Sequence, residues 1–89
     1  MNDEHEEQQG IEMNLKVETH KVENSSTIQE VAYDNLLGTM DVLFQSGGLY
    51  QYVAVPRELY VELTEAPSAG KFFHANVKGK FEFLKTLSK

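Results

Sequence analysis

Thr39-Met-Asp-Val-Leu-Phe-Gln45, Ser46-Gly47-Gly48 and Leu49-Tyr-Gln-Tyr-Val-Ala-Val55 decide the fold. The first run places Met40, Val42 and Phe44 on one side and Asp41, Leu43 and Gln45 on the other, the period of two that a strand requires. Ser46-Gly47-Gly48 is a hairpin signal, because glycine reaches positive φ without steric cost. The second run then returns antiparallel, with Tyr50 and Tyr52 sharing a face. Upstream, Thr27-Ile-Gln-Glu-Val-Ala-Tyr33 mixes β-branched and aromatic residues and leads into the turn residues Asp34, Asn35 and Gly38. These segments predict a three-stranded antiparallel meander.

Downstream, the period changes at Pro56. Proline suits the first position of a helix, and Glu58 suits the positive end of its dipole. Leu59, Tyr60, Leu63 and Ala66 form an apolar stripe, with Glu58, Glu62 and Glu65 opposite, which predicts the main helix over 57–66. Pro67 stops it, and Ser68 is a natural N-cap for a short second helix reaching about Val77. Gly79 ends that helix, and Lys78 and Lys80 stand at the negative end of its dipole. Phe81-Glu-Phe83 alternates again and reads either as a short C-terminal strand or as an apolar strap across the core. The expected class is therefore α+β: a three-stranded antiparallel meander packed against one main helix and a short second one.

With 89 residues the chain has room for one small core. It has no cysteine, which excludes disulfides, thiolate zinc sites and a cysteine nucleophile. A net charge of −6 excludes a polycation that grips nucleic acid over its whole surface. The charge is divided, however. Residues 1–24 carry seven acids and two lysines, whereas residues 71–89 carry five lysines and the single acid Glu82. Residues 1–23 read as a disordered acidic tail, because the first dozen bury little against about 1–2 kcal/mol of backbone entropy per residue. Residues 24–89 read as the folded domain. No basic start precedes an apolar segment, and no apolar run approaches the roughly 20 residues of a membrane span. A cytoplasmic location without membrane attachment is the expectation.

Catalytic chemistry finds few candidates. His5, His20 and His74 lie far apart without metal-ligand spacing. Glu58 and Glu62, four residues apart, read as a solvated helix face rather than as paired catalytic carboxylates. Ser25, Ser26 and Ser46 have no base that the sequence identifies, and Ser46-Gly47-Gly48 lacks the Lys-Ser/Thr ending and following helix of a phosphate-binding loop. The expectation is a protein that is not an enzyme and holds no cofactor or metal.

One ordered series of residues carries a resemblance. Ser25-Ser26-Thr-Ile28, Ala32-Tyr33-Asp34, Val42-Leu-Phe44, Gly48, Tyr50-Gln-Tyr52, Val55-Pro56, Tyr60, Ala66-Pro-Ser68, Gly70-Lys-Phe72-Phe73 and Val77-Lys78 follow one another along the chain. This series resembles the KTSC domain, named from the C-terminus of some lysyl-tRNA synthetases and also found as a stand-alone bacterial or phage protein. The resemblance covers about residues 25–85. His74 stands where asparagine is usual in the family, and Phe81 and Phe83 replace tyrosines, which removes two hydroxyls available for contact with a nucleic acid. The family has no established activity. Its synthetase context implies RNA binding, by analogy rather than by chemistry.

The residues available for that task are Tyr50 and Tyr52 for base stacking, Lys71, Lys78, Lys80 and Lys85 for phosphates, and Arg57 as a guanidinium beside the sheet. Each has a plainer reading, the tyrosines as core under the helix stripe and the lysines as a solvated face. The RNA expected is tRNA or a single strand. The alternative is a protein–protein interaction module or a self-associating accessory protein that uses the open edges of the sheet.

Overall fold

Alternating and helical periods resolve into five strands and two helices in a computed structural model that describes residues 17–23 and 25–87. In chain order they are β1 (Val17–Lys21), β2 (Ile28–Asp34), β3 (Thr39–Phe44), β4 (Leu49–Tyr52), α1 (Arg57–Glu65), α2 (Ala69–Asn76) and β5 (Phe83–Leu87). The sheet runs β1-β2-β3-β4-β5, with every neighbouring pair antiparallel.

The expected three-stranded meander is thus the centre of a five-stranded one: the C-terminal strand is one of the two readings offered for Phe81-Glu-Phe83, and the count is corrected by β1 at the opposite edge. β1 lies within residues 1–23, the span read as a tail. Its alternation is disguised because Glu18 and His20 are the half-buried positions, whereas Val17, Thr19 and Lys21 are exposed. A strand whose inward side chains are polar gives no apolar period. Residues 1–16, the rest of the expected tail, lie outside the described residues. At the other edge, Phe81 packs against the core as a strap, and the last strand begins at Phe83.

Register sorts the side chains into rows. Glu18, Tyr33, Met40, Tyr52 and Phe83 face one another in turn across the five strands, and Val31, Val42, Tyr50 and Lys85 form the adjacent row. Both rows lie on the face that carries the core. A register shift between Ile28 and Glu30 lets both Ile28 and Val31 point inward, which strict alternation forbids. Thr19, Ala32, Asp41, Gln51 and Leu84 line up on the reverse face.

Two tight turns set the β2–β3 and β3–β4 hairpins. At the first, Asp34 Oδ1 accepts from the backbone N–H groups of Leu36 and Leu37 at 2.8 and 3.0 Å, and Gly38 closes the turn at φ +71°. At the second, Gly47 takes φ +101° and donates its N–H to the Phe44 carbonyl at 2.9 Å.

Pro56 is the N-cap of α1 in extended conformation (φ −66°, ψ 144°), not its first helical residue as the sequence suggested. Tyr60 and Leu63 are the buried part of the expected stripe. Removing each from water contributes about 1.5–3 kcal/mol. Ser68 caps α2 as expected, its hydroxyl oxygen accepting from the Lys71 N–H at 3.3 Å. Ala69, Phe73 and Val77 complete a core shared with Ile28, Val31, Tyr33, Met40, Val42, Tyr52 and Val55. Among the described residues, no helix is long and apolar enough to cross a membrane.

Candidate nucleic-acid interface

The two inward rows run off the edge of the helical layer at β4 and β5, and the aromatic residues there line an open groove of about 570 Å³. Strand period and register determine its make-up. Tyr50 and Tyr52, two apart on β4, share a face, and pairing with β5 puts Phe83 beside Tyr52 and Lys85 beside Tyr50. Phe44 arrives from β3 and Phe73 from α2. The rings form a continuous chain. Centroid separations are 5.2 Å for Tyr50–Phe83, 5.3 Å for Phe44–Tyr50, 5.4 Å for Phe44–Phe73 and 5.6 Å for Tyr52–Phe73. The Phe44 contacts are edge-on, the arrangement that ring quadrupoles favour.

Cations stand over and beside these rings. The Lys85 ammonium lies 5.7 Å from the centre of the Tyr50 ring, within cation–π reach. Lys78, just past the end of α2, lines the wall with Gly79. The rim is polar, with Ser26, Thr27, Gln45 and Ser46. Gln45 is fixed there by donating its side-chain amide to the Ser25 carbonyl at 3.1 Å. A second groove adjoins the first, lined by Ser25, Ser26, Thr27, Ser68, Gly70, Lys71, His74 and Ala75. The charged residues along the two grooves are Lys71 and Lys78, with His74 between them. Among the described residues, no acid lines either groove: Glu58, Glu62 and Glu65 lie on α1, Glu30 and Asp41 at a separate concavity with Leu43 and Leu49, and Glu23 at a third concavity that shares Ser25 and Ser68 with the second groove.

The residues expected to bind RNA are therefore only partly brought together. Tyr50 is half-buried and forms one wall. Tyr52 retains 4% exposure, so it is a core residue at the groove's floor that props Phe73 and Phe83 rather than a free stacking platform. Its burial, with Tyr50 nearby, holds the Tyr52 phenol above its ordinary pKa. Lys78 lines the aromatic groove and Lys71 its neighbour, whereas Lys85 lines neither and meets the site through its ammonium over the Tyr50 ring. Arg57 lines neither groove; its guanidinium is joined to Glu18 at 2.7 Å. Lys80 is exposed and also lines neither.

Sequence reasoning missed Phe44, Phe73, Phe83 and His74 as groove residues. Phe44 continues the period of Met40 and Val42 and so reads as core. Phe83 was legible in principle, since Phe83-x-Lys85 mirrors Tyr50-x-Tyr52 once β5 is paired. No group of three His, Cys, Asp or Glu residues among the described residues is placed to hold a metal ion.

Comparison with known proteins agrees with this architecture. The family model of the KTSC domain matches residues 24–81. The lysine–tRNA ligase of Trichormus variabilis is 41% identical over 58 residues, covering 65% of this chain, and that of Nostoc punctiforme is 38% identical over the same length. The chain spans about a tenth of the length of each ligase. An uncharacterised protein of Stutzerimonas stutzeri is 42% identical over 50 residues, 56% of this chain and 70% of its own length. In structure, the chain is similar to a KTSC domain protein from Yersinia pestis, with a TM-score of 0.74, 32% identity, and coverage of 80% of this chain and 99% of that one. With more than half of its length matched by the family model and its fold shared with a KTSC domain protein, the chain belongs to the KTSC domain family.

Proposed function

We propose that this protein is a non-enzymatic domain that binds single-stranded RNA, tRNA ends included, through the aromatic groove between β4, β5 and α2. The observation that carries the reading is the Lys85 ammonium over the ring of Tyr50, a residue of the groove wall, together with Lys78, the lysine that lines the groove itself. Rings that accept a base and cations that meet its phosphates are what a single strand requires. The net charge of −6 repels a polyanion at long range, and the separation of the acids from the grooves offsets that locally. The presence of a similar stretch in lysine–tRNA ligases supports RNA over other polyanions, and the reading assumes a cytoplasmic setting.

Fluorescence anisotropy with a labelled single-stranded RNA over a salt series tests it. Saturable binding at low salt is expected, with a logarithmic salt slope near −2 if about three phosphates are met. Tyr50→Leu weakens binding about tenfold while shifting the melting temperature little, since a stacked base contributes about 1–3 kcal/mol. Tyr52→Leu lowers the melting temperature strongly. Absence of saturable binding at low salt overturns the reading.

A protein partner is the second reading, supported by Leu36 and Leu37, which are 72% and 68% exposed at the tip of the well-ordered β2–β3 turn. Leu36→Ser with Leu37→Ser leaves RNA affinity unchanged and abolishes capture of that partner.

A further inference from the structure

We propose that the second groove is a subsite for a terminal phosphomonoester, so that the two grooves together take the phosphorylated end of an RNA strand. The inference rests on the RNA reading and specifies which part of the strand is recognised. Its starting point is that Ser26, Thr27 and His74 line both grooves, so a ligand crossing from one to the other stays against the same wall. On the far side, Lys71 and His74 stand three residues apart on α2 and therefore share a helix face.

The opposite bank is the Ser25–Thr27 segment. The Ser25 hydroxyl oxygen accepts from the N–H groups of Thr27 and Ile28 at 3.1 and 3.0 Å, which shapes this bank before any ligand arrives. Gly70 lets it approach the helix, since a Cβ there would stand 3.4 Å from both Cβ and Oγ1 of Thr27. Hydroxyls, an ammonium and an imidazole are thus gathered in one polar recess of about 610 Å³ beside an aromatic groove. A phosphomonoester carries more charge and more free oxygens than a diester, and it is the group whose recognition gains most from such a donor set. The aromatic groove alone has no use for Lys71.

Amide NMR titrations of the full chain separate the possibilities. The probes are one short single-stranded RNA sequence in three forms: unphosphorylated, 5′-phosphorylated and 3′-phosphorylated. One phosphorylated form is expected to bind about tenfold more tightly than the unphosphorylated strand, with new shifts confined to residues 70–75 and 25–27. Lys71→Ala, at a residue that lines the second groove and not the aromatic one, should abolish that advantage and leave the unphosphorylated strand's affinity as it was. Equal affinity for all three forms, with shifts only around Tyr50 and Phe83, overturns the phosphate subsite while the RNA reading stands. No saturable shift with any form overturns the RNA reading and this inference with it.

Discussion

Arg57 at the start of α1 grips Glu18 on β1 in a fork: Nε donates to Oε2 at 2.9 Å, and Nη2 donates to Oε1 at 2.8 Å and to Oε2 at 2.7 Å. The Asn35 side-chain amide also donates to Glu18 Oε2, at 2.9 Å. One carboxylate therefore ties the outermost strand β1 to both α1 and the β2–β3 turn.

These partners set the acid side of the stability profile. The Asn35 hydrogen bond and then Arg57 hold the Glu18 carboxyl below its ordinary value of 4.5. A carboxyl depressed by folding contributes stability that is present above that ordinary value and is lost as pH falls through the lower folded value. Both partners are partly solvated, so Glu18→Gln should cost only about 0.5–1 kcal/mol at neutral pH. Urea unfolding of the two proteins should converge as the pH falls well below 4.5; a gap that persists in acid would mean the carboxylate charge is not what the pair contributes.

On the alkaline side the relevant groups are Tyr52 and Tyr60. Burial raises both phenols above their ordinary value of 10.0, and the Glu18 charge adds to the effect at Tyr60. A phenol raised by folding contributes stability that is fully present below that value and is lost as pH rises through the folded one. Melting temperature should therefore fall above about pH 10, and tyrosinate absorbance from these two rings should grow together with unfolding.

The β4–α1 connection is a third point of leverage. Tyr33, buried at 5% exposure, donates its hydroxyl to the Val55 carbonyl at 2.5 Å, and its ring stacks on Tyr60 at 5.4 Å. Tyr33→Phe keeps the stacking and leaves that carbonyl without its partner, at a cost of about 1–2 kcal/mol. In a domain of this size calorimetry should register a drop of several degrees per kcal/mol. Just before Val55, Ala54 sits at φ +56°, in the left-handed region. Ala54→Gly should relieve that strain and raise stability by up to about 1 kcal/mol, because glycine's extra unfolded-state freedom offsets part of the gain.

Asp41 is the place where stability stands to improve. On the central strand, its Oδ1 is buried without a hydrogen-bond partner. An unsatisfied buried acceptor costs about 1–3 kcal/mol, and a β-branched side chain suits a mid-sheet position. Asp41→Val should raise the urea midpoint with an unchanged slope. It should also leave RNA affinity unaltered, because Asp41 lies on the face away from the aromatic groove.

What the sequence made legible follows from how each residue earns its place. The central hairpin, the α1 stripe and the Ser68 cap were readable because their signals are local: a period of two, a period near 3.6 and one capping hydroxyl. β1 was not, because its half-buried positions are Glu18, held there by Arg57 and Asn35, and His20, so the strand shows no apolar period. The groove was half legible. Tyr50, Lys78 and Lys85 are ordinary stacking and phosphate-binding types, but only the β4–β5 register puts Phe83 and Lys85 beside the tyrosines. The pairing of Arg57 with Glu18 was not legible, because a guanidinium fits a phosphate as well as it fits a carboxylate and nothing within its own segment distinguishes the two. The family match at residues 24–81 stops short of both edge strands, so Phe83 and Lys85 lie beyond it.

Sheet order and chain order coincide from β1 to β5, so among the described residues the first strand and the last are the two outermost. No inner pairing has to open to admit a neighbour at either end. Such a unit can be transplanted onto larger proteins by simple end-to-end joining, with no threading and no circular rearrangement of the chain.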